Sequence, residues 1–140
     1  MRHAFVLDCS ATLPWVFGDE ASSAADALLD RLVQGERAWV PALWHLELGN
    51  VLLGAKRRGR IDQAGIEGFL SWLAVYDIVV DEQTMERAWQ KTLDLALLHS
   101  LSTYAAYPEL ALRRGLPLAS LDRELIAAAR ACGVPLCLQS

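Results

Sequence analysis

The chain is poor in cysteine, in lysine and in long apolar runs, and each scarcity removes a class of protein. Three cysteines, Cys9, Cys132 and Cys137, make an odd count with no Cys-x-x-Cys pair. That suits neither a disulfide framework nor a zinc site, and small core residues in a reducing compartment are expected instead. Lysine occurs only at Lys56 and Lys91, and 17 acidic residues against 13 Lys and Arg leave a net charge of −4. This is the wrong sign for broad affinity to nucleic acid. Local basic runs remain at Lys56-Arg57-Arg58-Arg60 and at Arg113-Arg114, where solvated helix ends compete with phosphate contacts as explanations. The longest charge-free stretch, Leu95 to Pro108, is 14 residues and carries His99, Ser100, Ser102 and Thr103. A membrane-spanning helix needs about 20 mostly apolar residues. No basic segment followed by an apolar run opens the chain, so no export signal and a cytoplasmic location are expected.

What is present is a high apolar fraction, 54% of 140 residues. A chain of this size forms one domain, 1–140, and buries roughly two-thirds of its unfolded surface. The apolar excess points to a buried partner surface.

Short apolar runs alternate with helical spacings. Ala4 to Leu7 is continuously apolar, as in a strand buried on both faces. Helical spacing follows from Asp19-Glu20 through Leu32-Val33, stopped at Gly35. Ala38 to Val40 is a second strand, and Pro41 suits the first position of a helix that carries Leu43 to Leu52. Asp62 reads as an N-cap for a helix through Leu73. Ile78 to Val80 is the third strand, and Thr84 to Leu98 the longest helix, with Met85, Ala88, Trp89, Leu93, Ala96 and Leu97 inward. A helix from about Ala105 to Arg113, a fourth strand at Leu116 to Ala119, a helix from Arg123 to Ala131 and a fifth strand at Pro135 to Leu138 complete the chain. This alternation predicts an α/β domain, a central parallel sheet of about five short strands flanked by helices. Trp15, Trp39, Trp72 and Trp89 are expected in core or dimer packing, and His99 at a helix C-terminus.

Three acids share one expected geometry. Asp8 ends the first strand, Glu47 lies about two turns into the helix after the second, and Asp122 follows the fourth. With right-handed crossovers all three approach the carboxyl edge of the sheet, where parallel α/β folds bind ligands. A buried strand running into a carboxylate costs stability unless something uses the charge. Each acid has a structural alternative: Asp8 as a cap on the turn toward Thr12, Glu47 as a solvated helix residue, Asp122 as an N-cap. Glu47 lies on a mostly apolar helix with Asn50 three residues on. Together the acids are hard oxygen ligands, suited to Mg2+ or Mn2+.

Val6-Leu7-Asp8-Cys9-Ser10-Ala11, Pro41-x-Leu43-Trp44-x-x-Glu47-x-x-Asn50, Leu101-Ser102-Thr103-Tyr104 and Leu116-Pro117-Leu118-Ala119-Ser120-Leu121-Asp122 resemble the motifs of PIN-domain ribonucleases. More narrowly, they resemble the VapC toxins of bacterial toxin–antitoxin pairs. The resemblance covers nearly the whole chain in order. It implies a three-layer α/β/α fold and a metal-dependent endoribonuclease that leaves 5′-phosphate and 3′-hydroxyl ends. It also implies a homodimer silenced by a small antitoxin protein. Asp8, Glu47 and Asp122 match the family's acidic metal site, Ser10 its nearby hydroxyl and Asn50 the amide after the glutamate.

The chain departs from the family at one place. Where the pattern is Tyr-Asp-Ala-x-Tyr, this sequence has Tyr104-Ala105-Ala106-Tyr107-Pro108-Glu109, with the metal-binding aspartate absent. Pro108 places the helix start near Ala105. Glu109, one turn along, is expected to face solvent. With three carboxylates in place of four, weak metal binding and reduced RNA cleavage are expected. A catalytically degenerate domain that binds an antitoxin or RNA is the alternative. Other α/β phosphate chemistries fit less well. Ser10 stands where a haloacid-dehalogenase fingerprint needs its second aspartate, both lysines fall on predicted helices rather than after a late strand as a response regulator requires, and Cys9 to Thr12 makes a poor phosphate loop.

Overall fold

The sheet is built outward from a strand with no polar face. In the computed structural model, which describes residues 3–101 and 105–138, β1 (Ala4–Leu7) has Phe5, Val6 and Leu7 wholly buried. On one side it pairs with β2 (Arg37–Val40), which in turn pairs with β3 (Ile78–Val80). On the other side it pairs with β4 (Leu118–Ala119). All pairings are parallel and the order is β3-β2-β1-β4. The chain leaves β1 toward β2 and β3, then returns across the sheet to β4. The connections after β1 and β4 therefore run in opposite directions, and the crevice past their carboxyl ends is where such sheets place a site.

The sheet has four strands, not five. Pro135 to Leu138 contributes a single parallel bridge between Leu118 and Leu136. Leu118 N–H donates to the Pro135 carbonyl (2.8 Å) and Cys137 N–H to the Leu118 carbonyl (2.9 Å). Pro135 has no N–H to extend the ladder.

Helices α1 (Cys9–Thr12), α2 (Ser23–Val33), α3 (Trp44–Arg57), α4 (Gln63–Leu73), α5 (Thr84–Arg87), α6 (Lys91–His99), α7 (Ala106–Arg114) and α8 (Arg123–Ala131) flank the sheet. The expected Asp62 cap is in place, its Oδ1 accepting from Gly65 N–H (2.8 Å), and Ser22, which was not singled out from the sequence, caps α2 by accepting from Ala25 N–H (3.1 Å). Asp19 and Glu20 lie instead in a separate 3-10 turn. Gly115 ends α7 at φ 65°, a conformation costly for any residue with a Cβ. α3 starts three residues later than Pro41, because Trp44 N–H closes a turn onto the Pro41 carbonyl (3.0 Å). Glu47 therefore occupies the first turn of α3, not the second.

The expected long helix over Thr84 to Leu98 is broken between α5 and α6, and α3 is the longest helix. Met85, Trp89 and Leu97 are exposed, Trp89 at 90% of its surface. Helical stability comes mainly from an apolar face packed on the rest of the chain, and this stripe has no such support within the protein.

Glu109 does not face solvent. It is 2% exposed and accepts from Arg113, Nε to Oε1 at 2.7 Å and Nη2 to Oε2 at 3.0 Å. The same guanidinium donates to both oxygens of Asp81, at 3.0 and 2.7 Å, just past β3. Arg114 adds 3.1 Å to Asp81 Oδ1 while stacking on Trp39 at 3.5 Å from the ring centroid. Thr84 Oγ1 also donates to Asp81 (2.8 Å). Burial alone would raise the Asp81 pKa, but Arg113, Thr84 and Arg114 together hold it down at about 2. α7 is thus clamped to the end of β3 by an ion-pair network whose carboxylates are out of water. Arg113→Met leaves Asp81 and Glu109 without their shared cation, and a loss of about 3–5 kcal/mol is expected in urea unfolding at pH 7. Because the folded Asp81 pKa is lowered, its contribution is full above the unfolded carboxyl value near 4 and fades as pH falls toward 2. The gap between wild type and Asp81→Asn should therefore narrow over that window.

Candidate active site

Asp8 ends β1 with its N–H on the Ala119 carbonyl (3.0 Å), so the β-ladder carries the residue to the rim of the sheet. Asp8 stands at the N-cap position of α1 without a side-chain cap hydrogen bond, although the Ser10 backbone helps lower its pKa, and its own carbonyl accepts from Thr12 Oγ1 at 3.3 Å. The carboxylate is turned inward, with the residue 3% exposed. Its Oδ2 accepts from Ser10 Oγ at 2.5 Å and from Ser120 Oγ at 2.9 Å. Both hydroxyls also take backbone N–H groups from the loop after β4: Leu121 N–H donates to Ser10 (2.8 Å) and Asp122 N–H to Ser120 (3.0 Å). Two serines thus tie the ends of the adjacent strands β1 and β4 across one carboxylate.

Glu47, in the first turn of α3, is half-buried and accepts from the Tyr107 hydroxyl at 2.5 Å. Asp122 caps α8, with Oδ1 receiving Glu124 N–H (2.9 Å) and Leu125 N–H (3.1 Å). The structural alternative for Asp122, an N-cap, is therefore present.

The electrostatics join the three acids. Burial raises the Asp8 pKa most, the Ser10 and Ser120 bonds lower it in part, and the Asp122 charge raises it further. Glu47 is likewise raised, first by burial and then by the Asp8 charge, against the lowering bond from Tyr107. Among the described residues no cationic side chain pairs with Asp8 or Glu47. Their donors are neutral hydroxyls. Carboxylates that repel one another while held by neutral donors have the chemistry of a hard-cation site. The three are not, however, gathered into one ready ligand set: no group of three His, Cys, Asp or Glu side chains among the described residues is so arranged. The fit to a divalent ion rests on Asp8 and Glu47, with Asp122 as a neighbouring charge.

Asn50 is exposed on α3 and is not drawn into this cluster among the described hydrogen bonds. Cys9 is buried, its thiol on the Trp44 carbonyl (3.5 Å), and burial with the charges of Glu47 and Asp8 pushes its pKa up. It is a core residue, as expected. Arg60 is taken up by Asp19 (2.8 Å) and Glu20 (3.3 Å) and lies over Phe17, while Arg57 and Arg58 are exposed. From Ser102 to Tyr104 the third motif lies outside the described residues.

Two residues of the site were not singled out from the sequence, Ser120 and Tyr107. A hydroxyl one residue past β4 mirrors Ser10 past β1, and a wholly buried tyrosine needs a partner for its hydroxyl; those were the available signals.

A raised pKa means that the folded protein is destabilised when Asp8 ionises. Stability should fall as pH rises from the unfolded carboxyl value through the raised folded one. In chelator, Asp8→Asn is therefore expected to melt at a higher temperature than wild type at pH 7, with the difference shrinking toward pH 4.

Compared with known proteins, the chain matches no family model and no curated protein. It is similar to a solved structure from Pyrobaculum aerophilum, the crystal structure of PAE2754. The two share 24% sequence identity over 93% of this chain and 87% of that one, with a TM-score of 0.68. At this identity the likeness concerns the fold: an α/β domain on a four-stranded parallel sheet.

Proposed function

We propose that this protein is a PIN-type, metal-dependent endoribonuclease resembling the VapC toxins. The observation that carries this is the pair Asp8 and Glu47: Asp8, at the end of β1, is raised in pKa by burial and by the Asp122 charge, Glu47, in the first turn of α3, by burial and by the Asp8 charge, and both are held by neutral hydroxyl donors. The motif order and the missing aspartate support weak rather than vigorous activity. Asp8 and Glu47 would hold Mg2+ or Mn2+, with Asp122 adding negative charge nearby. When bound, such an ion supplies an activated water and neutralises charge building on an RNA phosphate. The protein's own part is orientation. Ser10 and Ser120 fix Asp8 from two sides, and the Asp122 N-cap anchors the loop that carries Ser120.

A second reading keeps the fold and drops the chemistry. It is favoured by the absence of a three-residue ligand set among the described residues. A degenerate PIN domain would bind an antitoxin or RNA without cutting. Cleavage of a mixed pool of structured RNAs by purified, antitoxin-free protein separates the two. Metal-dependent cutting is expected with Mn2+ or Mg2+, abolished by chelator, and reduced more than about 100-fold by Asp8→Asn, since removing a ligand should exceed the 10–100-fold effect of its supporting partners. A folded protein that cuts with neither ion overturns the enzyme reading.

The partners expected with this function are a small antitoxin and a second copy of the chain. The exposed stripe Met85, Trp89, Leu97 and Leu98, with Leu46 beside the groove lined by Leu43, Met85, Ala88 and Trp89, supports the dimer. Sedimentation velocity should find wild type dimeric and Trp89→Asp monomeric, with little change in far-UV circular dichroism.

A further inference from the structure

We propose that the Tyr107 phenol is a positioning residue for Glu47, holding that carboxylate in the metal-binding orientation in place of an acidic neighbour. This rests on the reading of Asp8 and Glu47 as metal ligands. Tyr107 is completely buried, and packing alone would be served by phenylalanine. Its hydroxyl donates to Glu47 Oε1 across 60 positions of sequence, joining the first turn of α7 to the first turn of α3. A hydroxyl-to-carboxylate bond is among the stronger hydrogen bonds, and it fixes a side chain that otherwise has three rotatable torsions.

The phenol is itself held firmly. Pro108 follows it within the first turn of α7, where a missing N–H leaves no bond unmade. Beyond that, Arg113, paired with Glu109 on the same helix, fastens it to Asp81. The hydroxyl adds a donor without adding a charge. A carboxylate in that place would repel Asp8 and Glu47 further; the phenol orients one of them and leaves the repulsion as it stands.

The test is Mn2+ titration followed by electron paramagnetic resonance, with thermal melts, for wild type, Tyr107→Phe, Glu47→Gln and the double variant. Tyr107→Phe should melt within a few degrees of wild type, since the buried ring is kept and a single hydroxyl is lost. It should bind Mn2+ about 10-fold more weakly, the usual effect of losing a group that orients a ligand. In the Glu47→Gln background the same change should cost no further affinity, an outcome that a general loosening of the core would not give. Wild type that binds Mn2+ with Tyr107→Phe unchanged overturns the positioning role alone. Equal losses from Tyr107→Phe with and without Glu47 do the same. Wild type that binds no Mn2+ overturns the metal-site reading and this inference with it.

Discussion

The Asp8 carboxylate is nearly removed from water at the end of a strand whose preceding three residues are wholly buried. The strand cannot shift to release it, because moving β1 by one residue breaks its ladders to both β2 and β4. Ser10, just past β1, and Ser120, just past β4, answer that constraint with hydroxyls rather than with a cation. The protein contains its own comparison. Asp81 also follows a parallel strand and is also buried, but it receives two guanidinium groups and a threonine, and its pKa drops to about 2. At the end of β3 the cost of burial is fully offset; at the end of β1 it is offset only in part. A buried carboxylate met only by neutral donors, where the connections of neighbouring parallel strands part, is the kind of feature from which a ligand site can be argued.

α7 links these two solutions. One of its turns ties down Asp81 through Arg113 and Arg114, and its first turn presents Tyr107 to Glu47. The ion-pair network thus does more than stabilise an edge of the sheet. It sets the position of the helix from which a single hydroxyl reaches the acidic cluster. Disturbing the network should alter the placement of Glu47 as well as the stability of the fold.

Much of this was legible in the sequence, for identifiable reasons. A continuous apolar run at Ala4 to Leu7 has few alternatives to a buried strand, and Asp62 and Gly115 mark helix ends by local chemistry that tertiary contacts rarely override. The readings that failed depended on partners distant in sequence. Glu109 looked solvated because Arg113 beside it gave no sign of Asp81, 32 positions before that arginine. The periodicity of Thr84 to Leu98 was real, but an apolar stripe does not say whether the rest of the same chain packs on it, and here Met85, Trp89 and Leu97 stay exposed. Glu47 was placed a turn too deep because Pro41 is as compatible with a turn before a helix as with its first residue. Ser120 was hidden because a serine next to an N-cap aspartate is ordinary; only the pairing of β1 with β4 brings it onto Asp8.

On the proposed reading, the aspartate of the PIN pattern that has no counterpart between Tyr104 and Ala105 also bears on the balance between stability and chemistry. Each carboxylate added to a buried cluster raises the others' pKa and strains the fold when no ion is bound. A site with fewer acids is easier to fold empty and holds a cation less tightly. The Asp8 charge already raises Glu47 here, so on the proposed reading a cation would be favoured electrostatically but would meet too few ligands for tight binding. What it lacks in charge must be made up in geometry. The structure supplies geometry in excess: two serines on one carboxylate, a phenol on the other, and a clamped helix behind the phenol.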